Sequence, residues 1–162
     1  MEDGGTISTN FNWFKVPAIT QEVYFGIATE GAGTSSAHAG FAVGDQTGFV
    51  VPSTATTYAT AGLLALDGSA AITTLQGDLT LAAGYGSLTG TLSGSGYTLG
   101  ISAASSSTGT FSGSSSLSGN GASGTGNSSG HFYSSGATSA IAGVANGTSG
   151  TSYVAGFGGV AK

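Results

Sequence analysis

Two histidines, His38 and His131, are the side chains best suited to bind or react near neutral pH, since cysteine is absent and Lys and Arg together number 2. His131 precedes Phe132-Tyr133 and, on an extended chain, points opposite to Phe132. An imidazole there would serve as an axial haem or metal ligand. The simpler reading, and the one favoured, is a polar residue facing solvent. His38 lies in a small-residue stretch read as a loop, and it is the candidate second ligand; Tyr133 completes the set of candidate ligand-binding residues. Acid–base chemistry would need two carboxyls a few ångströms apart in a cleft. Asp67 and Asp78 only flank a turn segment, where solvated carboxylates are the simpler expectation. No G-x-S-x-G elbow with a partner histidine occurs. The glycine runs lack the lysine and following helix of a phosphate loop. Asp45-Gln-Thr-Gly48 carries too few carboxylates for a calcium loop. The expectation is a protein that is not an enzyme and holds no metal.

Charge narrows the partners. Charged residues make up 6% of the chain and the net charge is −5, against roughly 25% charged residues in ordinary globular chains. All seven carboxylates precede Leu79, and the two cations are Lys15 and Lys162. Nucleic-acid binding is excluded on this reading, because phosphate contacts need Lys and Arg. Attraction to an anionic membrane surface is equally unsupported. The lack of cysteine removes disulfides, thiolate metal sites and a lipid-bearing cysteine from these residues. No apolar run reaches the roughly 18 residues of a membrane-spanning helix. Nor does a basic start lead into an apolar stretch, so an export signal or lipid anchor is expected, if at all, upstream.

The elements that must position these residues read as strands. Residues 11–29 are the most aromatic segment, with Phe11 and Trp13 on one face of an extended chain and Phe14 on the other; Val23, Phe25 and Ile27 alternate with Tyr24 and Gly26. Residues 30–40 read as a loop and 41–51 as two short strand pieces. Thr54 to Leu66 favours strand over helix by its Thr and Tyr content. Asp78 to Ala83, Leu88 to Leu92 and Tyr97 to Ala103 alternate cleanly. Gly119 to Ser129 reads as the longest loop, Asn146-Gly147 as a turn, and Tyr153 to Val160 as the last strand. Roughly eight to ten short strands with regular turn signals point to an all-β barrel or sandwich. The many strand glycines, each costing roughly 0.5–1 kcal/mol relative to Ala, are expected to let barrel strands coil and to leave room for aromatics inside. The outer surface is expected to be Ser and Thr.

The order of segments resembles the C-terminal barrel of the transferrin-binding protein B-like family of bacterial surface lipoproteins, which includes factor H-binding protein and the secreted haem-capturing hemophilins. Pro52 to Tyr58 looks like the entry to its first long barrel strands. Gly77 to Gly86 followed by Ser87 to Ser93 is similar to its next hairpin. Phe111 and Gly113 match its TF-x-G strand. Gly130-His-Phe-Tyr133 with Gly136-Ala137 and Ile141 to Gly143 resembles its G-x-FYGP-x-A-x-E-x-GG hairpin, and Ala155 to Gly159 with Lys162 its closing AGxFGAK strand. The chain departs from that pattern where Ser134-Ser135 replaces Gly-Pro and Ala140 stands near the usual Glu. The resemblance covers roughly residues 40–162. It implies an all-β fold, an antiparallel eight-stranded β-barrel of the transferrin-binding protein B type, spanning 40–162, with residues 1–39 as an N-terminal arm and short strand segment.

The resemblance further implies a non-catalytic binding protein outside the cell or on the outer-membrane surface of a Gram-negative bacterium. Its partner would be another protein or copies of itself. The alternatives are a structural subunit that assembles into a fibre or surface layer, and a haem-binding hemophore in which His38 and His131 would converge on the iron. Otherwise no cofactor is expected. The candidate partner or assembly surface is the aromatic cluster Phe11, Trp13, Phe14, Tyr24 and Phe25. Such a cluster either caps one end of the barrel or docks on a neighbour. The scarcity of surface charge leaves edge-to-edge association without its usual barrier.

Overall fold

The computed structural model describes residues 9–19, 21–30, 37–67, 69 and 71–162. They form an all-β molecule with a closed eight-stranded barrel and a separate three-stranded sheet. The sheet is a meander of β1 (Thr9–Lys15), β2 (Val23–Glu30) and β3 (Ala37–Gly44). The barrel follows in simple up-and-down order: β4 (Thr56–Leu66), β5 (Ile72–Leu81), β6 (Ser87–Gly94), β7 (Tyr97–Ser105), β8 (Thr110–Gly119), β9 (Ala122–Ser135), β10 (Thr138–Gly150) and β11 (Tyr153–Ala161). Each strand pairs antiparallel with the next, and β11 closes on β4 from Tyr153↔Leu66 to Ala161↔Tyr58. Closure leaves the barrel no free edge.

Alternation builds the lumen. Leu75, Leu79 and Leu81 of β5, Leu88 and Leu92 of β6, and Leu99 and Ile101 of β7 all point inward and are buried. An eight-stranded barrel has an interior just wide enough for side chains to fill, and here aromatics fill it. Phe111 meets Phe132 edge-on at 5.6 Å and Phe157 at 6.0 Å, and Phe132 meets Tyr58 at 6.4 Å. The Phe111 ring has its place because Gly130 and Gly143 carry no side chain: a Cβ there would stand 2.3 Å and 2.8 Å from its tip. The polar ends of lumen side chains are satisfied. Tyr58 Oη lies 2.8 Å from Ser139 Oγ and Tyr153 Oη 2.6 Å from Ser115 Oγ. Outside, Thr89, Ser102, Ser114 and Asn127 form one exposed row across β6 to β9. That is the uncharged polar surface expected from composition.

A second apolar layer joins the small sheet to the barrel. Val23 and Phe25 of β2 pack with Val16 on Tyr133, Ala140 and Ala142, and Ile27 packs on Leu63 and Ala65. These barrel residues point outward, so β4, β10 and the end of β9 at Tyr133 are apolar on both faces, unlike β6 to β8. The linker of residues 45–55 crosses one end of the barrel. Gln46 Nε2 donates to the carbonyls of Gly109 and Phe132 at 3.1 Å each, Val51 is buried, and Val50 N bonds Ser134 Oγ.

Three segments differ from the sequence expectation. Residues 37–44 are strand and belong to the small sheet, so that sheet extends past residue 39 and the barrel strands begin at Thr56; residues 31–36 of the expected loop lie outside the described residues. Residues 119–129 are not a long loop. A tight turn at Asn120-Gly121, with φ of 51° and 79°, leads directly into β9. The inward positions of β9 there are Gly124, Gly126 and Ser128, so the strand shows no apolar alternation. A Cβ on Gly126 would collide with the Asn146 carbonyl. Finally, Asn146-Gly147 is not a turn: β10 continues through it with an irregularity between Gly147 and Ser149.

Candidate functional site: an exposed aromatic face

The barrel covers one face of the small sheet and leaves the other to solvent. Register decides which residues lie where, because directly opposed residues of an antiparallel pair share a face. The outer face carries the rows Phe11–Ala28–Ala39, Trp13–Gly26–Phe41 and Lys15–Tyr24–Val43. The inner face carries Phe14–Phe25–Ala42 and Asn12–Ile27–Gly40. On the outer face the aromatics meet diagonally: Phe11 and Phe41 edge-on at 6.0 Å, Trp13 and Tyr24 at 5.3 Å. Phe11 is 61% exposed, Trp13 55% and Val43 55%. Gly26 at the centre of the patch is required by the backbone, since a Cβ there would overlap the Asn12 carbonyl oxygen.

The result is a solvent-facing aromatic surface on a sheet that is itself anchored to a rigid barrel. Phe, Tyr and Trp each bury about 150–250 Å² when covered, and transfer of apolar surface from water yields about 25 cal/mol per Å². Aromatics with few free torsions lose little entropy when a partner covers them, which is why they dominate binding hot spots.

The candidate assembly residues are therefore split by the fold. Phe11, Trp13 and Tyr24 share the outer face. Phe25 is 2% exposed and lies against the barrel, so it belongs to the core and not to any surface. Phe14 points to the inner face, 5.8 Å from the Phe25 ring, yet remains 42% exposed because β1 overhangs the barrel wall. Phe41 and Val43 join the surface although the sequence reading placed them in short strand pieces after a loop. The alternation of Phe41 and Val43 with Gly40 and Ala42 was the available signal.

The candidate ligand residues do not assemble. His38 sits on the inner side of β3, with Nε2 2.6 Å from the Ser69 carbonyl and Nδ1 2.8 Å from Thr29 Oγ1. A carbonyl only accepts, so Nε2 carries the proton and Nδ1 accepts from the Thr29 hydroxyl. Both nitrogens are thus occupied, and the side chain ties β2 and β3 to the β4–β5 connection. His131 is exposed on the barrel exterior, between Thr110 and Ala142 in register. It lines a depression with Ala42, Ser129 and Val144, whereas His38 lines another with Asp67, Ser152 and Val154. Tyr133 lies beneath the small sheet, and burial pushes its phenol above the ordinary value. Among the described residues no three His, Cys, Asp or Glu side chains are grouped to hold a metal.

No family model matches the sequence, and no curated protein matches it. Among solved structures, the isotype 1 transferrin-binding protein B from serogroup B Neisseria meningitidis is similar to this chain at a TM-score of 0.53 and 12% identity. The likeness covers 100% of this chain and 37% of that one, so the chain spans little more than a third of that protein's length. What the two share is a fold, the closed antiparallel eight-stranded barrel of the transferrin-binding protein B type.

Proposed function

We propose that this protein is a non-catalytic binding protein, acting outside the cell or at the cell surface of a bacterium, that receives a protein partner on the outer face of its small sheet. The observation that carries the reading is the outer face on which Phe11, Trp13 and Val43 are exposed and Tyr24 and Phe41 half-buried, on an otherwise charge-poor molecule. Monomeric proteins rarely leave contiguous aromatic surface uncovered without using it. The fold likeness to a protein named for binding transferrin supports a binding role; transferrin itself is not carried over, because the likeness is one of fold. The test is a photo-crosslinking residue placed at Trp13, with Ser114 on the hydroxyl-rich barrel wall as control. A partner that crosslinks from Trp13 and not from Ser114, and whose purified form loses at least tenfold in affinity for Trp13→Ser (~1.4 kcal/mol), supports the reading. Equal crosslinking from both positions sinks it.

A second reading takes the partner to be another copy of this chain. The position of β1 at the edge of the small sheet favours it: among the described residues no strand pairs with its outer side, every side chain from Phe11 to Lys15 is exposed, and Lys15 is the segment's single charge to discourage pairing. A strictly monomeric protein by light scattering at high concentration would rule this out.

A further inference from the structure

We infer that β1 is a pairing edge: two copies of this chain join antiparallel along Thr9–Lys15 and merge their small sheets into one six-stranded sheet. This rests on the reading of a second copy as partner, and adds to it which atoms meet and in which register. Val16 N donates to the Val23 carbonyl at 2.8 Å. Lys15 lies opposite Tyr24, which sets Val16 opposite Val23. In an antiparallel ladder, directly opposed pairs are hydrogen-bonded alternately. Asn12↔Ile27 and Phe14↔Phe25 are therefore the bonded pairs, and Phe11, Trp13 and Lys15 turn their N–H and C=O groups away from β2. Among the described residues no strand takes up those groups. A row of this kind is matched by another extended backbone. Nor does β1 carry the features that usually blunt an edge. Its register with β2 is unbroken, it contains no proline, and its single charge, Lys15, stands at its end. The opposite edge, β3, lies against the barrel, where a Cβ on Gly40 would stand 2.5 Å from the Ala155 carbonyl oxygen. β1 is held chiefly through β2.

The register follows from two conditions. Edge-directed groups must meet edge-directed groups, and the strands must overlap along their whole length. Together these set Phe11 of one copy opposite Trp13 of the other, Lys15 opposite Thr9, and Asn12 opposite Asn12 on the two-fold axis. The aromatics then form cross-strand pairs on the outer face. The two lysines stand at opposite ends, so like charges are not opposed. A slip of two residues in either direction shortens the overlap. The contact is self-complementary and uses each β1 edge completely, so it closes at two copies. Both barrels lie on the inner side of the joined sheet, and the twist of roughly 20–25° between neighbouring strands turns them apart. The two outer faces become continuous and stay open to a protein partner.

The test is self-association of the intact chain by sedimentation, comparing Phe11→Pro with Phe11→Ala. Both variants lose the ring, but only proline loses the edge-directed N–H. The β1–β2 ladder keeps its bonds, since the Phe11 N–H is not among them. Phe11→Pro is expected to raise the dimer dissociation constant about tenfold or more above that of Phe11→Ala. A second measurement is independent of proline. The chain has no cysteine, so Asn12→Cys places one thiol per copy beside the two-fold axis. Opposed Cα atoms there stand about 4.5 Å apart, within the span of a disulfide. Oxidised glutathione should link this variant into a covalent dimer. Phe14→Cys, roughly 13 Å from its counterpart along the strands, should stay unlinked. If Phe11→Pro unfolds β1, the two cysteine variants decide alone. Equal dissociation constants for folded Phe11→Pro and Phe11→Ala, or linkage of Phe14→Cys as readily as Asn12→Cys, overturn the edge pairing and leave a second copy bound through another surface. A chain that stays monomeric at high concentration overturns both. Weaker binding of a different protein to Phe11→Pro than to Phe11→Ala, with no dimer formed, also overturns the inference, because the edge then takes a foreign strand.

Discussion

Gly156 of β11 lies directly on Gly26 of β2: a Cβ built on Gly156 would stand 2.4 Å from the Gly26 carbonyl oxygen and 2.7 Å from its nitrogen. Backbone meets backbone at this point, and the small sheet reaches the barrel only because Gly156 has no side chain. Beside it, a Cβ on Gly158 would stand 2.5 Å from the Phe25 ring. Gly156→Val is therefore expected to push the sheet away and to destabilise the protein by about 2 kcal/mol or more, in the range of overpacked cores. Urea unfolding measures this; an unchanged midpoint would mean that the two layers are not in contact there.

The lumen is sensitive to the opposite change. Phe111 bridges Phe132 and Phe157 and occupies the space that Gly130 and Gly143 leave open. Phe111→Ala should cost about 3–5 kcal/mol, because the rigid wall cannot collapse into the void. Filling the same void from the other side, with Gly143→Leu, should not rescue it, since a Cβ at Gly143 already stands 2.6 Å from the Ser129 carbonyl oxygen. Thermal unfolding of the single and double variants checks both statements.

The two histidines should behave differently from each other. His38→Ala removes the bonds to Thr29 and Ser69 and is expected to cost about 1–2 kcal/mol, while His131→Ala, at an exposed site, should change stability by less than about 0.5 kcal/mol. In a haem titration we expect no Soret band that depends on either residue, because they line different cavities. A histidine-dependent Soret shift would restore the hemophore reading.

Stability should fall at alkaline pH. Burial raises the phenols of Tyr58, Tyr133 and Tyr153 above 10.0, partly offset by hydrogen bonds to Ser139 for Tyr58 and to Ser115 for Tyr153. A raised acid keeps its proton in the folded state while the unfolded chain releases it, so the stabilisation is complete below pH 10 and is lost as pH rises through the folded values. Each tyrosine that ionises only on unfolding steepens the loss by about 1.4 kcal/mol per pH unit. Denaturant midpoints between pH 8 and 11 test this, and Tyr133→Phe should flatten the slope. A midpoint independent of pH across that range would contradict it.

The hydroxyl-rich, glycine-laden strands were legible as strands because alternation with period two survives on β5, β6 and β7, where only one face is buried. It failed on β9, where the inward positions from Gly124 to Ser128 are too confined for apolar side chains, and on β3, where Gly40 must approach the Ala155 carbonyl to within contact. Composition likewise determined that the surface would be polar and uncharged and that its few charges would stand near the N-terminal half and the last residue. Alternation could also say that Phe11 and Trp13 oppose Phe14, and that Phe25 opposes Tyr24. It could not say which of those faces the barrel would take. That was decided by docking: the small residues Ala140, Ala142, Gly156 and Gly158 lie far along the chain from β2, and only closure of the barrel brings them together as a seat for Val23, Phe25 and Ile27. The same docking turned His38 into a tie between layers, because it sets β2 and β3 beside Ser69 of the β4–β5 connection.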